Sequence, residues 1–191
     1  MKNYIILGAG GHAKSLAETI ISQGEKVSAY VDPMRCTWLS CRHEKSEAAI
    51  NPEDGAIVLG LGGLHPEKLA RRLLLLEEML ARGFEAPPII HSGAQVSGNT
   101  SLAPGVTILA GAIIQSGVVL KPGAIINTGA IVEHDSVIEA GTHVAPGAII
   151  LGNCKIGKTS FVGAGAVVLQ GQNVDAKSLI PALTKFSSKN N

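Results

Sequence analysis

From Val96 onward every sixth residue is aliphatic: Leu102, Ile108, Ile114, Leu120, Ile126, Val132, Ile138, Val144, Ile150, Ile156, Val162, Val168, Val174 and Ile180. No residue is inserted or lost along the way. An α-helix repeats every 3.6 residues and a flat strand every two, so neither keeps such a stripe on one side. Three positions after the rungs the chain favours turn-formers: Gly105, Gly111, Gly117, Gly123, Gly129, Gly141, Gly147, Gly165 and Gly171, with Asn99, Asn153 and Asp135 at equivalent places. Such residues tolerate positive φ. The pattern predicts a solenoid of very short strands from Ala94 to Leu183, each strand pointing one aliphatic side chain inward before a corner. Three such sides close a triangular coil, so residues eighteen apart stack, a spacing that Pro104 and Pro122 obey at one corner.

This repeat resembles the hexapeptide-repeat left-handed β-helix of acyltransferases and covers nearly the whole C-terminal half. A stacked solenoid buries its rungs and leaves its outer faces free for chemistry. The alternative is a purely structural solenoid; a well-placed histidine and an N-terminal glycine loop argue against it. Charge nearly balances, at +1 over 191 residues, and no basic run occurs. Neither nucleic acid nor an anionic membrane is therefore expected as a partner. Three Phe, two Tyr and one Trp suit an aliphatic solenoid and argue against base-stacking surfaces. Three cysteines, an odd number, point to a reducing compartment. The apolar run Tyr4-Ile5-Ile6-Leu7 is too short for a signal peptide or a span, so a cytoplasmic protein is expected.

Tyr4 to Leu7 reads as a buried parallel strand, followed by Gly8-Ala9-Gly10-Gly11-His12, a helix from about Ala13 to Ser22, and a second strand from Val27 to Val31. Gly8, Gly10 and Ala13 satisfy the G-x-G-x-x-A spacing of dinucleotide sites, with Asp32 about twenty residues on. Taken alone this favours NAD. Only one more unit follows, however: a strand from Ala56 to Gly60 and a helix from about Pro66 to Arg82. A complete dinucleotide fold needs two halves, and a half-Rossmann α/β domain (βαβαβ) with one phosphate-cradling loop better suits a single nucleotide diphosphate. Cys36, Cys41 and His43 lack a fourth ligand at zinc spacing, so no metal is expected. Leu69, Leu73, Leu76 and Leu80 form a helical stripe for packing on the sheet. Pro87-Pro88 breaks the chain, which divides it into an α/β domain at 1–88 and a solenoid at 89–191.

The N-terminal layout also resembles one branch of the hexapeptide acyltransferases, the acetyltransferases of nucleotide-activated amino sugars, with the sialic acid O-acetyltransferases as relatives. In that resemblance Gly10, Gly11 and His12 contact the nucleotide portion of the substrate. Asp32 reads the uracil or ribose, Gly62 lines the same pocket, and Asn127 lies near the sugar. The family carries a second acidic residue after the one matching Asp32, where this chain has Pro33.

His134 lies two positions beyond the inward Val132, beside a corner, so its side chain is expected at the coil surface. An amine attacking a thioester must lose a proton, and a neutral imidazole can accept it near neutral pH. An adjacent carboxylate would hold the imidazole's tautomer. The family pattern puts that acid at Asp135, with Glu133 as the competing candidate. By the same resemblance His143 contacts acetyl-CoA, Gly152 donates its N–H to the thioester carbonyl, and Ala164 and Ala182 make further acetyl-CoA contacts. Nine residues separate the two histidines, a half-integral number of coils, so they cannot share one face of one subunit. That fits the family's homotrimers, whose site lies between subunits. Cys154 reads as packing. Relatives continue with a glycine-rich coil where this chain runs through 178–186 and ends in a polar run.

The resemblance thus implies acetyl transfer from acetyl-CoA to the C4 amine of a nucleotide-linked 4-amino-4,6-dideoxy sugar, UDP ahead of dTDP, in bacterial surface-glycan biosynthesis. A sialic acid or other sugar O-acetyltransferase, a non-catalytic sugar-nucleotide-binding solenoid and a nicotinamide oxidoreductase are the alternatives.

Overall fold

A computed structural model describes residues 1–188 of the chain. Its N-terminal part is a four-stranded parallel sheet built from β1 (Asn3–Leu7), β2 (Lys26–Val31), β3 (Arg42–Glu44) and β4 (Ala56–Leu59) in the order β3-β2-β1-β4. Parallel strands covered on both faces read as continuous apolar runs, as Tyr4–Leu7 and Ala56–Leu59 do. Helix α1 (Gly11–Ser22) lays Ala13, Leu16, Ala17 and Ile20 on one side of the sheet. Helix α2 (Pro66–Ala81) lays Leu73, Leu76 and Met79 on the other. Strand β3 carries no apolar run that would mark it in the sequence. Its Arg42 is fixed instead by Asp54 at 2.8 Å and Glu44 at 2.9 Å.

The remainder is a left-handed parallel β-helix with three faces of six, six and five two-residue strands. Partners pair eighteen residues apart, as Ile131 does with Ile149 and Ile113. The rungs from Ile108 to Ile180 are all 4 % exposed or less. Each such burial contributes about 1.5–3 kcal/mol, which is why one aliphatic residue per short strand can hold the prism. The solenoid runs further than Ala94 to Leu183. Ile89–Ile90 pairs with Thr107–Ile108, and Lys185–Phe186 pairs with Val167–Val168, so Ile90 and Phe186 extend the stripe at both ends. Residues 178–186 therefore continue the coil, although they lack its glycines.

Most corners turn through a glycine at positive φ, and Asp135 (61°) and Asn153 (57°) do so as expected. Asn99 does not, whereas Thr159 (54°), Lys177 (59°) and Leu183 (57°) do. The stacking register overrides local preference there, at a cost of about 1–2 kcal/mol per residue.

Helix α2 docks along one corner. Gly105, Gly123 and Gly141 stack at the spacing of one coil, and a methyl group on them would meet Leu76 at 2.7 and 3.2 Å and Leu73 at 3.1 Å respectively. Arg72, on the same stripe, is fully buried. Its Nε donates to the Leu61 carbonyl at 2.9 Å and its Nη1 to the Gly123 carbonyl, bolting the α/β domain to the solenoid. Burial without a carboxylate partner pulls its guanidinium down to about 9.

Candidate active site

Gly8, Ala9 and Gly10 turn the chain between β1 and α1, and Gly11 and His12 open the helix. A methyl group on Gly8 would strike Leu61, so that glycine is required by the chain itself. Gly10 and Gly11 differ. They lack positive φ, and a methyl group on either would meet nothing within 4 Å. No side chain caps α1, whose first N–H groups open onto this space. Such a terminus suits an anion brought close to the backbone.

That space is one end of a cavity of about 490 Å³ lined by Gly10, Gly11, His12, Gly62, Asn127 and His143. Five of the six residues expected to hold substrate thus converge, and Asp32 is the exception. Its Oδ2 accepts the Ala9 N–H and its Oδ1 the Met34 N–H, both at 2.9 Å, so the carboxylate ties the glycine turn to the end of β2. It lines a neighbouring hollow of about 490 Å³ that shares Gly10 and Gly11.

His143 joins the substrate group. It is 4 % exposed and packs edge-on to Phe161. Its Nδ1–H donates to the Gly63 carbonyl at 2.7 Å, which leaves Nε2 to accept from Asn127 Nδ2 at 2.9 Å. Asn127 Oδ1 in turn accepts the Thr128 N–H at 2.8 Å. Desolvation, with a smaller contribution from Arg72, lowers the His143 imidazole to about 4, against the opposing pull of the Gly63 carbonyl. Desolvation and then the Arg72 cation lower His12 to about 3. His12 Nε2 is buried without a partner. Both rings are therefore neutral polar groups.

His134 occupies a different corner, between the faces that carry Ile131–Val132 and Val137–Ile138. Its Nδ1–H donates to Asp135 Oδ2 at 2.9 Å, so Asp135 rather than Glu133 fixes the ring. The lone pair of Nε2 faces the next coil, where a methyl group on Gly152 would come within 2.5 Å of it. Only glycine fits there with the ring left in place. The Gly152 N–H donates to no protein acceptor among the described residues. Ala164 and Ala182 stack on a third corner, which is also that of Thr128; Leu183 N–H donates to the Ala164 carbonyl at 2.9 Å. One chain therefore does not bring His134 and Gly152 to the cavity that holds Asn127 and His143.

Residues 3–65 match the PglD N-terminal domain family, and residues 135–170 match the bacterial transferase hexapeptide (six repeats) family. The first match lies within the α/β domain and the second within the solenoid. Among solved structures it is similar to the acetyltransferase domain of PglB from Neisseria gonorrhoeae, at 29% identity and a TM-score of 0.90 over 100% of this chain and 94% of that one. The same domain in complex with acetyl coenzyme A gives 29% identity and a TM-score of 0.83 over 96% and 95%. PerB from Caulobacter crescentus in complex with CoA and GDP-perosamine gives 28% identity and a TM-score of 0.86 over 98% and 89%. No curated protein matches the chain. The structural neighbours are thus sugar N-acetyltransferases crystallised with acetyl-CoA or CoA.

The main cavity also takes residues that spacing did not reveal. Lys68 and Leu109 complete the main cavity, the latter from the solenoid one coil below Asn127. The signal for Leu109 was present: an apolar residue immediately after an inward rung, on the outside of a coil. Arg72 had a similar signal, being a charge three residues after Leu69 and four before Leu76 within a buried stripe.

Proposed function

We propose that the protein transfers an acetyl group from acetyl-CoA to the amine of a nucleotide-linked amino sugar. The acceptor we favour is the C4 amine of a 4-amino-4,6-dideoxy sugar carried on UDP ahead of dTDP. The carrying observation is the His134–Asp135 pair, with Nε2 set against Gly152 of the next coil. Asp135 holds the tautomer, and Nε2 takes the proton that the sugar amine sheds as its nitrogen bonds to the acetyl carbon. The C–S bond breaks, and the same proton then passes to the departing thiolate. The Gly152 N–H stabilises the carbonyl oxygen as charge develops on it. Gly10, Gly11 and the start of α1 receive the diphosphate, while neutral Asn127 and His143 orient the sugar.

In this reading the protein is a cytoplasmic homotrimer. His134 of one subunit faces the cavity of its neighbour, and acetyl-CoA lies between them along Gly152, Ala164 and Ala182. Support comes from the separation of the two groups in one chain and from the flat solenoid faces, which pair over large areas. Release of free thiol from acetyl-CoA in the presence of a UDP-4-amino sugar tests the reading. Gly152→Ala is expected to lower kcat at least tenfold by displacing the imidazole and the N–H together, with nucleotide-sugar affinity unchanged. Wild-type kcat in that variant would overturn the assignment of this corner.

A further inference from the structure

The hollow that shares Gly10 and Gly11 with the main cavity contains the only tryptophan of the chain, Trp38. Its indole Nε1–H donates to the Ala9 carbonyl at 3.2 Å, while the N–H of the same Ala9 is held by Asp32. The ring is therefore locked to the glycine turn, and its body packs on the apolar cluster beneath β1 and β2. Lys14, in the first turns of α1, holds its Nζ 5.9 Å from the ring centroid. Arg35 lines the same hollow, and each oxygen of its carboxylate, Asp32, already accepts a backbone N–H. A fixed, half-buried aromatic plane with cations beside it, next to an uncapped helix start, matches a base attached to a diphosphate.

We propose that the indole face of Trp38 is the platform on which the nucleobase of the nucleotide sugar stacks, taking the place over the ring that Lys14 Nζ occupies in the free chain. This rests on the glycine turn taking the diphosphate. A scarcity of aromatics argues against nucleic-acid surfaces, but one plane suffices for one base. Stacking on an aromatic side chain is sequence-tolerant, so it gives affinity for any base and leaves the choice among bases to the edges around it.

Because Trp38 is the sole tryptophan, its emission reports on the hollow directly. UDP, dTDP and GDP are titrated into the full chain while tryptophan fluorescence and calorimetric heat are followed separately. The expected result is saturable quenching at the calorimetric Kd, a Kd weakened roughly 5- to 100-fold in Trp38→Leu, and a Kd near wild type in Trp38→Phe. Equal affinity in folded Trp38→Leu overturns the platform, whatever the emission does, and leaves the glycine turn as the diphosphate site. Absence of heat with all three nucleotides overturns both.

Discussion

Replacing His134 by alanine is expected to lower kcat by about 10²–10⁴ while leaving the affinity for the nucleotide sugar unchanged. The effect falls on kcat because in this reading the ring takes the amine's proton while the glycine turn, Asn127 and His143 hold the nucleotide sugar, and because it carries no stacking load in the coil; its side chain is 55% exposed. Asp135→Asn is a graded version. The amide keeps the corner but no longer holds the Nδ1–H as a carboxylate does, so the loss is smaller than for His134→Ala and again falls on kcat. Steady-state kinetics with nucleotide sugar and acetyl-CoA varied separately reads both. A rise in KM with kcat preserved would make His134 a binding residue.

Stability is expected to fall steeply in mild acid. His12 and His143 are neutral in the fold, lowered from 6.5 to about 3 and about 4, and they take up protons only on unfolding. Their contribution is complete above pH 6.5 and is lost as pH falls towards the folded values. Each histidine contributes a slope of about 1.4 kcal/mol per pH unit, or roughly 4 kcal/mol for the two together between pH 7 and pH 5. The carboxyls of Asp54 and Glu85, held low by Arg42 and Lys2, lose their contribution only at lower pH, so this window isolates the histidines. Urea unfolding at fixed protein concentration, repeated across pH 7 to 5, measures the slope. His12→Gln should halve it, and an unchanged slope would contradict the buried neutral state of His12.

The physical reason these rings are neutral was not legible in the sequence. The hexad stripe determines which side chains enter the prism, so the solenoid and the stacking of Gly152 on His134 follow from counting. The glycine turn is equally visible, since its spacing is local. What counting does not reach is the seam between the two domains. Arg72 reads only as a charge set within a helical stripe until α2 is docked on the Gly105–Gly123–Gly141 corner, where it becomes a buried cation behind His12 and His143. That docking brings the Gly63 carbonyl to His143, which also meets Asn127 within the solenoid. The three corners at Thr159, Lys177 and Leu183 escaped for the opposite reason: their neighbours in the stack impose a conformation that the residues themselves do not favour.

The composite site can be tested by mixing two defective chains. His134→Ala removes the base, and Gly11→Leu puts a side chain into the open space of the cavity, where its Cβ meets nothing within 4 Å. Each homotrimer should be inactive. Trimers reassembled from equal amounts should recover about one quarter of wild-type activity, because one pairing in four sets an intact base against an intact cavity. If the mixed trimers stay as inactive as their parents, the base and the substrate cavity do not come from neighbouring subunits.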